Sequence, residues 1–592
     1  MSIRAATPSW LERSIPALIW LRGYARADLH ADVIAGAITA ILLVPQAMAY
    51  ALLAGLPPQV GLYASFVAPI AYALFGSSRA LAVGPVSVAA IMVATALASA
   101  GMQGLDTDLS NAVVLAFEIG LILLAMAALR LGAIVNFLSH PVLSGFTSGA
   151  AVVILLTQAA PLLGIAAGPT TTSHEIVAAL FTGIHATNST TLFVGIASIV
   201  LLTLGDGPLQ ALLRRISVKE WVAALGRTGP LWVVLLATLA VVGFDLDRVH
   251  GVATVGTIPA GLPAPSLAFL RRDSCIALLP SAALIAFISY VESISIAKIL
   301  ANRRRQRINA NQEFVGLGAA NIASAFSGGM PVAGGFGRTM VNFTAGARTQ
   351  MASVVTALLM GGTLLWLAPL FARLPKAALG AVIVVAVARL IDIATWREAW
   401  RYQRSDAAVL LATLIGVLVL GIELGLIVGI VLSLLIYVGR GSRPHMAIVG
   451  RVPETEHFRN IRRHDVETWP TLALVRVDES LTFTNIGVVE DFVTAHLASH
   501  SDVKHVVLVC NAVNHIDSSA LDALERLIAS LRDADVTIHL AEVKGPVLDA
   551  LLRINFPERI APGRVFFRTT DAVAVLTAPA NTPVSKPENE AS

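Results

Sequence analysis

Charge is what this chain has little of. Only 14% of its 592 residues are Asp, Glu, Lys or Arg, while 56% are hydrophobic; a soluble protein carries about 25% charged residues. Cysteine is scarcer still. The two present, Cys275 and Cys510, lie too far apart in sequence for a disulfide framework or a thiolate metal site, so no metal and no cofactor is expected. No nucleophile–base pairing, metal-ligand cluster or phosphate-binding glycine loop stands out, which argues against an enzyme. The net charge of +4 comes from basic loops and does not imply nucleic acid. No small-residue cleavage site follows the first apolar run, so no signal peptide is expected.

What the chain does have is long apolar runs. DVIAGAITAILLVPQAMAYALLAG (32–55) and LIGVLVLGIELGLIVGIVLSLLIYV (414–438) are long enough to cross a hydrocarbon core of about 30 Å. The pattern predicts a multi-span membrane protein with about 14 helical spans. Seven centre near residues 42, 68, 92, 120, 152, 197 and 236, and seven near 287, 320, 342, 361, 382, 412 and 430. WLERSIPALIW (10–20) reads weakly as a helix lying on the membrane surface.

Basic residues set the orientation. Arg4, Arg13, Arg22 and Arg26 precede the first span. Arg214, Arg215, Lys219 and Arg227 follow the sixth, Lys298, Arg303–Arg305 and Arg307 the eighth, and Arg397, Arg401 and Arg404 the twelfth. These fall on one side and place both termini in the cytoplasm. Arg248, Arg271 and Arg272 disagree mildly.

Composition divides the chain into a cytoplasmic segment 1–31, a transmembrane domain 32–438, a polar, proline-bearing linker 439–468, a small α/β domain 469–578 and a disordered tail 579–592. Within 469–578, TLALVRVD, LTFTN, HVVLVC and VTIHLAEV read as strands. VVEDFVTAHLAS, SALDALERLIASLRDA and GPVLDALLRI read as helices.

Two apolar segments are interrupted near their starts. RALAVGPVSVAAIMV (79–93) opens the third span, and SGGMPVAGGFGRTMVNF (327–343) opens the tenth. Broken helices in corresponding positions of two halves point to a transporter binding site. Seven spans per half inverts the second half, so the two breaks meet near the midplane with helix N-termini facing. Unpaired N–H groups and the positive end of each helix dipole, near Gly84-Pro85-Val86-Ser87 and Gly335-Phe336-Gly337-Arg338, would form an anion cradle, with Arg338 adding a full charge. Alternatively, Arg338 snorkels to an interface or pairs with a glutamate. Glu292, in LIAFISYVESISI, is an intramembrane acid suited to carrying a proton or to acting as a structural partner of Arg338. Glu118 reads as structural or lipid-interface.

PQAMAYALLAGLPPQVGLYASF (45–66), FGSSRALAVGPVSV (75–88), HPVLSGFTSGAAVVI (140–154) and NQEFVGLGAANIASAFSGGMPVAGGFGRT (311–339) resemble the sulfate permease (SulP) anion transporters, and the C-terminal α/β segment resembles a STAS domain. The resemblance covers nearly the whole chain. It implies a uracil-permease-like fold of two inverted seven-span repeats, in which a core domain (spans 1–4 and 8–11) moves against a gate domain (5–7 and 12–14) in elevator-like alternating access. It also implies a homodimer in the cell membrane with a cytoplasmic STAS domain. The expected activity is secondary active transport of an inorganic oxyanion, sulfate first, with bicarbonate or a C4-dicarboxylate, or an anion channel of the same fold, as alternatives.

By position, the resemblance places Gln46, Tyr50, Val86, Ser87, Gly337, Arg338 and Thr339, with Glu292 beside them, around the substrate; proton coupling is the reading preferred for Glu292. Some members carry an aromatic where Val86 stands and a serine where Gly337 stands. Ile296, four residues after Glu292, replaces the hydroxyl residue of sodium-coupled members, which weakens a sodium site. Ser518, in NHIDSSALDALERL, matches a serine phosphorylated in related bacterial domains, although Asp517 or Ser518 capping the next helix explains the pattern more simply.

Overall fold

The computed structural model describes residues 15–99, 105–132, 139–165, 173–206, 229–267, 269 and 272–578. Arg4, Arg13, Arg271, the basic stretch from Arg214 to Arg227 and the tail 579–592 lie outside them. By packing, the chain divides into two units, Met1–Ser433 and Leu434–Ser592.

The first unit is helical. Its principal helices are α1 (Arg26–Leu53), α2 (Pro58–Phe75), α3 (Ser87–Ser99), α4 (Leu105–Ala128), α5 (His140–Leu163), α6 (Ser189–Asp206), α7 (Gly229–Gly243), α8 (Arg272–Arg303), α9 (Ala310–Phe326), α10 (Phe336–Thr344), α11 (Met351–Gly362), α12 (Lys376–Ala388) and α13 (Arg404–Leu420). The last principal helix, α14 (Ile422–Gly441), runs across the division into the second unit. Each of the fourteen predicted centres falls in one of them. Among the described residues, eight helices are long and apolar enough to cross a membrane. In contrast, α3 and α10, with 13 and 9 residues, rise about 20 and 14 Å and cannot cross alone.

Packing sorts the helices into two sets. In one, α9 lies against α2 and α4, α11 against α1 and α2, α8 against α4, and α10 against α1. In the other, α13 and α12 lie against α5, and α6 packs on α12 and α7. The sets meet where α1 touches α7 and α12 and where α3 touches α5. Small residues permit the closest approaches: a Cβ on Gly61 of α2 would sit 2.0 Å from the Ala47 carbonyl oxygen of α1.

The second unit holds a six-stranded sheet of β3 (Met446–Arg451), β4 (Phe458–Asn460), β5 (Leu472–Val477), β6 (His505–Val509), β7 (Thr537–Ala541) and β8 (Val565–Phe566), in the order β4-β3-β5-β6-β7-β8. Strands β5 to β8 are parallel, and β3 and β4 pair antiparallel. Helices α15 (Ile486–Ser499), α16 (Ser518–Asp533), α17 (Gly545–Leu552), α18 (Phe556–Arg559) and α19 (Thr569–Thr577) complete it. Alternation along β5 sends Ala473, Val475 and Val477 to the face covered by α15 and α16, and Leu472 and Leu474 to the face under α19.

Two expectations are corrected. The stretch 439–468 is not only a linker, because Met446–Arg451 and Phe458–Asn460 enter the sheet as β3 and β4. Ala447 and Val449 are buried there; β3 is held in the sheet by pairing with β5, further along the chain, and β4 by pairing with β3. LTFTN is not a strand: Leu481 makes one isolated bridge to Ile516, and the Asn485 carboxamide accepts from the Thr482 N–H at 2.9 Å, closing a turn.

Candidate functional site

The two interruptions meet. Val83–Gly84 (β1) pairs antiparallel with Ala333–Gly334 (β2), Val83 opposite Gly334 and Gly84 opposite Ala333. A helix begins just past each strand. In α3 the first backbone bond is from the Ala90 N–H to the Val86 carbonyl, 2.9 Å, and in α10 from the Thr339 N–H to the Gly335 carbonyl, 2.9 Å. The amides of Ser87, Val88 and Ala89 in one helix, and of Phe336, Gly337 and Arg338 in the other, precede those bonds and have no helical acceptor. Two sets of free donors and two positive dipole ends thus sit beside one two-stranded crossing.

Buried polar side chains hold that crossing. The Gly334 N–H donates to Ser293 Oγ of α8, 2.8 Å, and the Ala82 N–H donates to Thr339 Oγ1, 3.1 Å. Asn342 Nδ2 donates to the Ala80 carbonyl, 3.0 Å, and Gln350 Nε2 to that of Ser78. Asn321 binds both the N–H and the carbonyl of Val332. Glu313, fully buried in α9, accepts from Tyr72 Oη (2.7 Å), Ser77 Oγ (2.6 Å) and the N–H groups of Ser77 (2.8 Å) and Ser78 (3.0 Å). A carboxylate with four donors is satisfied in the interior, and this one fixes the approach to β1.

Arg338 is 3% exposed. Its guanidinium donates from Nη1 to the Pro85 carbonyl at 3.0 Å, from Nε to that of Ala82 at 3.3 Å, and from Nη2 to that of Ala333 at 3.5 Å. It is buried rather than snorkelling and forms no ion pair with a described residue; it clasps β1 to β2. Carbonyls accept its protons without cancelling its charge, and one N–H on each terminal nitrogen has no acceptor among the described residues. Gly84 and Gly335 leave room for the group, since a Cβ at either would stand 3.3 or 3.2 Å from Nη2.

The structure brings most of the expected residues together. Tyr50 of α1 is buried beside Ser87, within electrostatic reach of Arg338 and Glu292. Gln46, one turn earlier and so on the same helix face, is half-buried and makes no hydrogen bond to a described residue. Val86 is buried at the start of α3. Gly337 is exposed, with nothing within 4 Å of where its Cβ would be: the open side of the crossing. Glu292 of α8 is half-buried, and Arg338 is the charged group acting on it, yet no ion pair joins them. Thr339 is the exception. It is fully buried, with its hydroxyl on the Ala82 amide, so it supports the crossing from behind rather than facing the open side.

Sequence reasoning missed Ser293, Glu313, Asn321, Asn342 and Gln350. Ser293, Asn321 and Asn342 have the signal of a polar residue inside an apolar run, whereas Gln350 ends the polar stretch GARTQ before α11. Glu313, coming just after the helix-start residue Asn309, reads as an ordinary first-turn acid. Glu118 is buried in α4 with Oε2 unpartnered, away from the crossing.

In the second unit Asp517 caps α16. Its carboxylate accepts from the Ala520 N–H and the Phe483 N–H, both at 2.8 Å, which holds it below the usual carboxylate range. Ser518 is exposed on the first turn.

A model of the sulfate permease family matches residues 29–413, and a STAS domain model matches 463–572. The chain is 33% identical over 579 residues to the chloroplastic sulfate transporter 4.1 of Arabidopsis thaliana, covering 96% of this chain and 83% of that one. It is 34% identical to a probable sulfate transporter of Mycobacterium tuberculosis, covering 94% and 97%. In structure it matches the murine Solute Carrier 26 family member A9 anion transporter in the inward-facing state (TM-score 0.86, 22% identity, 97% and 96% covered). It also matches the transmembrane domain of the cyanobacterial bicarbonate transporter BicA (TM-score 0.58, 22% identity, 69% and 98% covered).

Proposed function

The chain belongs to the sulfate permease family, a family of transporters rather than enzymes, and carries a C-terminal STAS domain. From that premise we propose that it is a secondary active transporter of an inorganic oxyanion, most simply sulfate, coupled to protons. One observation carries the reading: two helix N-termini with six amides free of helical acceptors share a crossing with the buried, unpaired charge of Arg338. Such a site attracts negative charge by field and by donors, and a neutral solute gains little from it. Gln46, Tyr50, Val86, Ser87 and Gly337 form the contact side. Arg338 supplies charge through the crossing, and Thr339 braces it. Glu292 carries the coupling proton: a carboxylate with no hydrogen-bond partner among the described residues, beside a cation, senses whether the anion is bound.

Elevator-like movement is supported by the two helix sets, of which the one made of α1–α4 and α8–α11 carries the crossing. Fourteen crossings in two inverted repeats are supported by reciprocal packing. Exchanging each helix with the one seven later turns α4–α9 into α11–α2, α5–α13 into α12–α6, and α1–α11 into α8–α4, and all of these pairs pack. Both termini lie in the cytoplasm by the arginine-rich loops, the membrane is the cell membrane, and the chain works as a homodimer. Ser518 is available for phosphorylation.

The test is uptake of labelled sulfate into proteoliposomes, with and without an inward proton gradient and with bicarbonate, succinate and chloride as competitors. Sulfate accumulates with the gradient, and Glu292→Gln keeps sulfate binding but loses the gradient dependence. Ohmic, gradient-independent flux would favour a channel. Uptake of a competitor in place of sulfate would keep the site and replace the substrate.

A further inference from the structure

The ten residues IATWREAWRY form a separate helix, Ile393–Tyr402, between α12 and α13. Asp392 starts it, accepting from the Thr395 N–H at 2.9 Å, so the chain turns after α12 instead of running on. Ile393, Trp396 and Trp400 recur at i, i+3 and i+7 and make one stripe. That stripe faces outward: the three are 60%, 40% and 54% exposed, and the two indole rings lie 6.0 Å apart. Beside it run Arg397 and Arg401, four apart, both exposed. Neither makes an ion pair or hydrogen bond with any described residue, although Glu398 lies three residues before Arg401. The helix therefore offers an apolar aromatic stripe and two unengaged guanidinium groups on adjoining faces, at a point where the chain passes from one membrane helix to the next.

We propose that helix Ile393–Tyr402 is a binding surface for anionic phospholipid, with the indoles of Trp396 and Trp400 in the headgroup layer and Arg397 and Arg401 on lipid phosphates. The occupant follows from the chemistry. A helix joining two membrane-crossing helices lies at the bilayer surface, where a stripe of this composition is buried among headgroups and acyl ends. Planar guanidinium groups select phosphate oxygens. Charge distinguishes this helix from another short helix, Ser173–Gly183, which exposes Phe181 but carries Glu175 and no Lys or Arg. The short helix Ala17–Arg22 adds a second stripe of this kind, with Leu18, Ile19 and Leu21 exposed, on the same side of the membrane by the arginine reading. Because α12 and α13 both belong to the set opposite the crossing, lipid bound here anchors that set to one leaflet. The proposal rests on the chain spanning a membrane and not on which anion it carries.

The experiment uses the full chain reconstituted in phosphatidylcholine vesicles containing either brominated phosphatidylcholine or brominated phosphatidylglycerol at equal bromine content. The signal is the tryptophan emission that disappears in the W396F/W400F double variant. Near an anionic surface each basic side chain is worth roughly a fivefold gain in partitioning, so the pair is worth roughly 25-fold. That emission is expected to be quenched more by the brominated phosphatidylglycerol, and R397Q/R401Q to abolish the preference while leaving quenching by brominated phosphatidylcholine intact. Equal quenching by both lipids in the unsubstituted chain would overturn the anionic choice. An unchanged preference in R397Q/R401Q would overturn the assignment to these arginines. No quenching by either lipid would mean that protein, including a second copy of the chain, covers the stripe.

Discussion

Arg338 shows what one residue does when it has two duties. As a clasp it satisfies three buried carbonyls; in the proposed function its charge also biases the crossing toward anions. Substitution separates the two. Arg338→Ala strips a donor from the Ala82, Pro85 and Ala333 carbonyls; Ala82 keeps the Gly335 N–H at 3.4 Å, while a buried carbonyl left unpaired costs about 1–3 kcal/mol. Arg338→Lys keeps the charge but replaces the fork by a single ammonium that cannot span β1 and β2. Melting temperature is expected to fall in both variants. Sulfate-induced thermal stabilisation is expected to vanish in the alanine variant and to persist, about tenfold weaker in apparent affinity, in the lysine variant. Equal loss in both would mean that geometry matters and charge does not. In the second unit, His539 is fixed by its surroundings: its Nδ1 accepts from the Arg564 N–H at 3.1 Å, and its Nε2 faces His505 Nδ1 at 3.3 Å. Burial, then the neighbouring His505 and Arg564, pushes its pKa down to about 4. Because the folded state resists the proton that the unfolded chain takes up near pH 6.5, stability is present in full above that pH and declines toward pH 4. Hydrogen exchange in β6 and β7, corrected for intrinsic rate, is expected to quicken on acidification from pH 7 to 5, and less so in His539→Asn.

At the scale of elements, the crossing depends on short helices held by longer ones that approach closely. Gly61→Ala would drive a methyl onto the Ala47 carbonyl, which lies on the backbone of α1 and has no rotamer to yield. The helices must part, at about 1–3 kcal/mol, and the expected outcome is a lower melting temperature with sulfate affinity little changed, since Gln46 and Tyr50 move with α1. Loss of binding without loss of stability would show instead that the α1–α2 spacing sets the site. Such contacts mark the limit of what was legible in the sequence. Apolar runs gave all fourteen helix centres, and glycine and proline marked both interruptions, because each signal is local. That Thr339 turns to the Ala82 amide, and that Glu313 reaches the loop after α2, are contacts across more than two hundred residues, on which no period or cap depends. The strands β3 and β4 escape local pattern for the same reason: in a polar, proline-bearing stretch, β3 becomes sheet only beside β5, and β4 only beside β3.

At the scale of the membrane unit, the connection between the two sevenfold sets of helices is itself a mechanical part. After α7 and a single helical turn, Leu246–Val249, the chain runs extended and pairs its backbone first with the segment leading into α12: the Val255 N–H donates to the Leu374 carbonyl at 2.9 Å, and the Lys376 N–H to that of Ala253 at 2.9 Å. Further on, the Gly261 N–H donates to the Leu364 carbonyl at 3.0 Å, just past α11, and the Ser266 N–H to that of Phe326, at the end of α9, at 2.8 Å. One end of this strap is thus fastened to the helix set that lacks the crossing and the other to the set that carries it. Thr257, Ile258, Pro259 and Ala260 lie between. If the set carrying the crossing slides during transport, these four residues take up the displacement. Deleting Pro259 and Ala260 removes at most about 7 Å of extended chain without touching the site. Sulfate binding by thermal shift is expected to stay within a factor of about two, while proton-driven uptake falls at least about tenfold, the effect of adding about 1.4 kcal/mol to the barrier of the moving step. Uptake at the unsubstituted rate would mean that the two sets do not slide far enough to stretch the strap, and the elevator reading would have to give way to a smaller, local opening at the crossing.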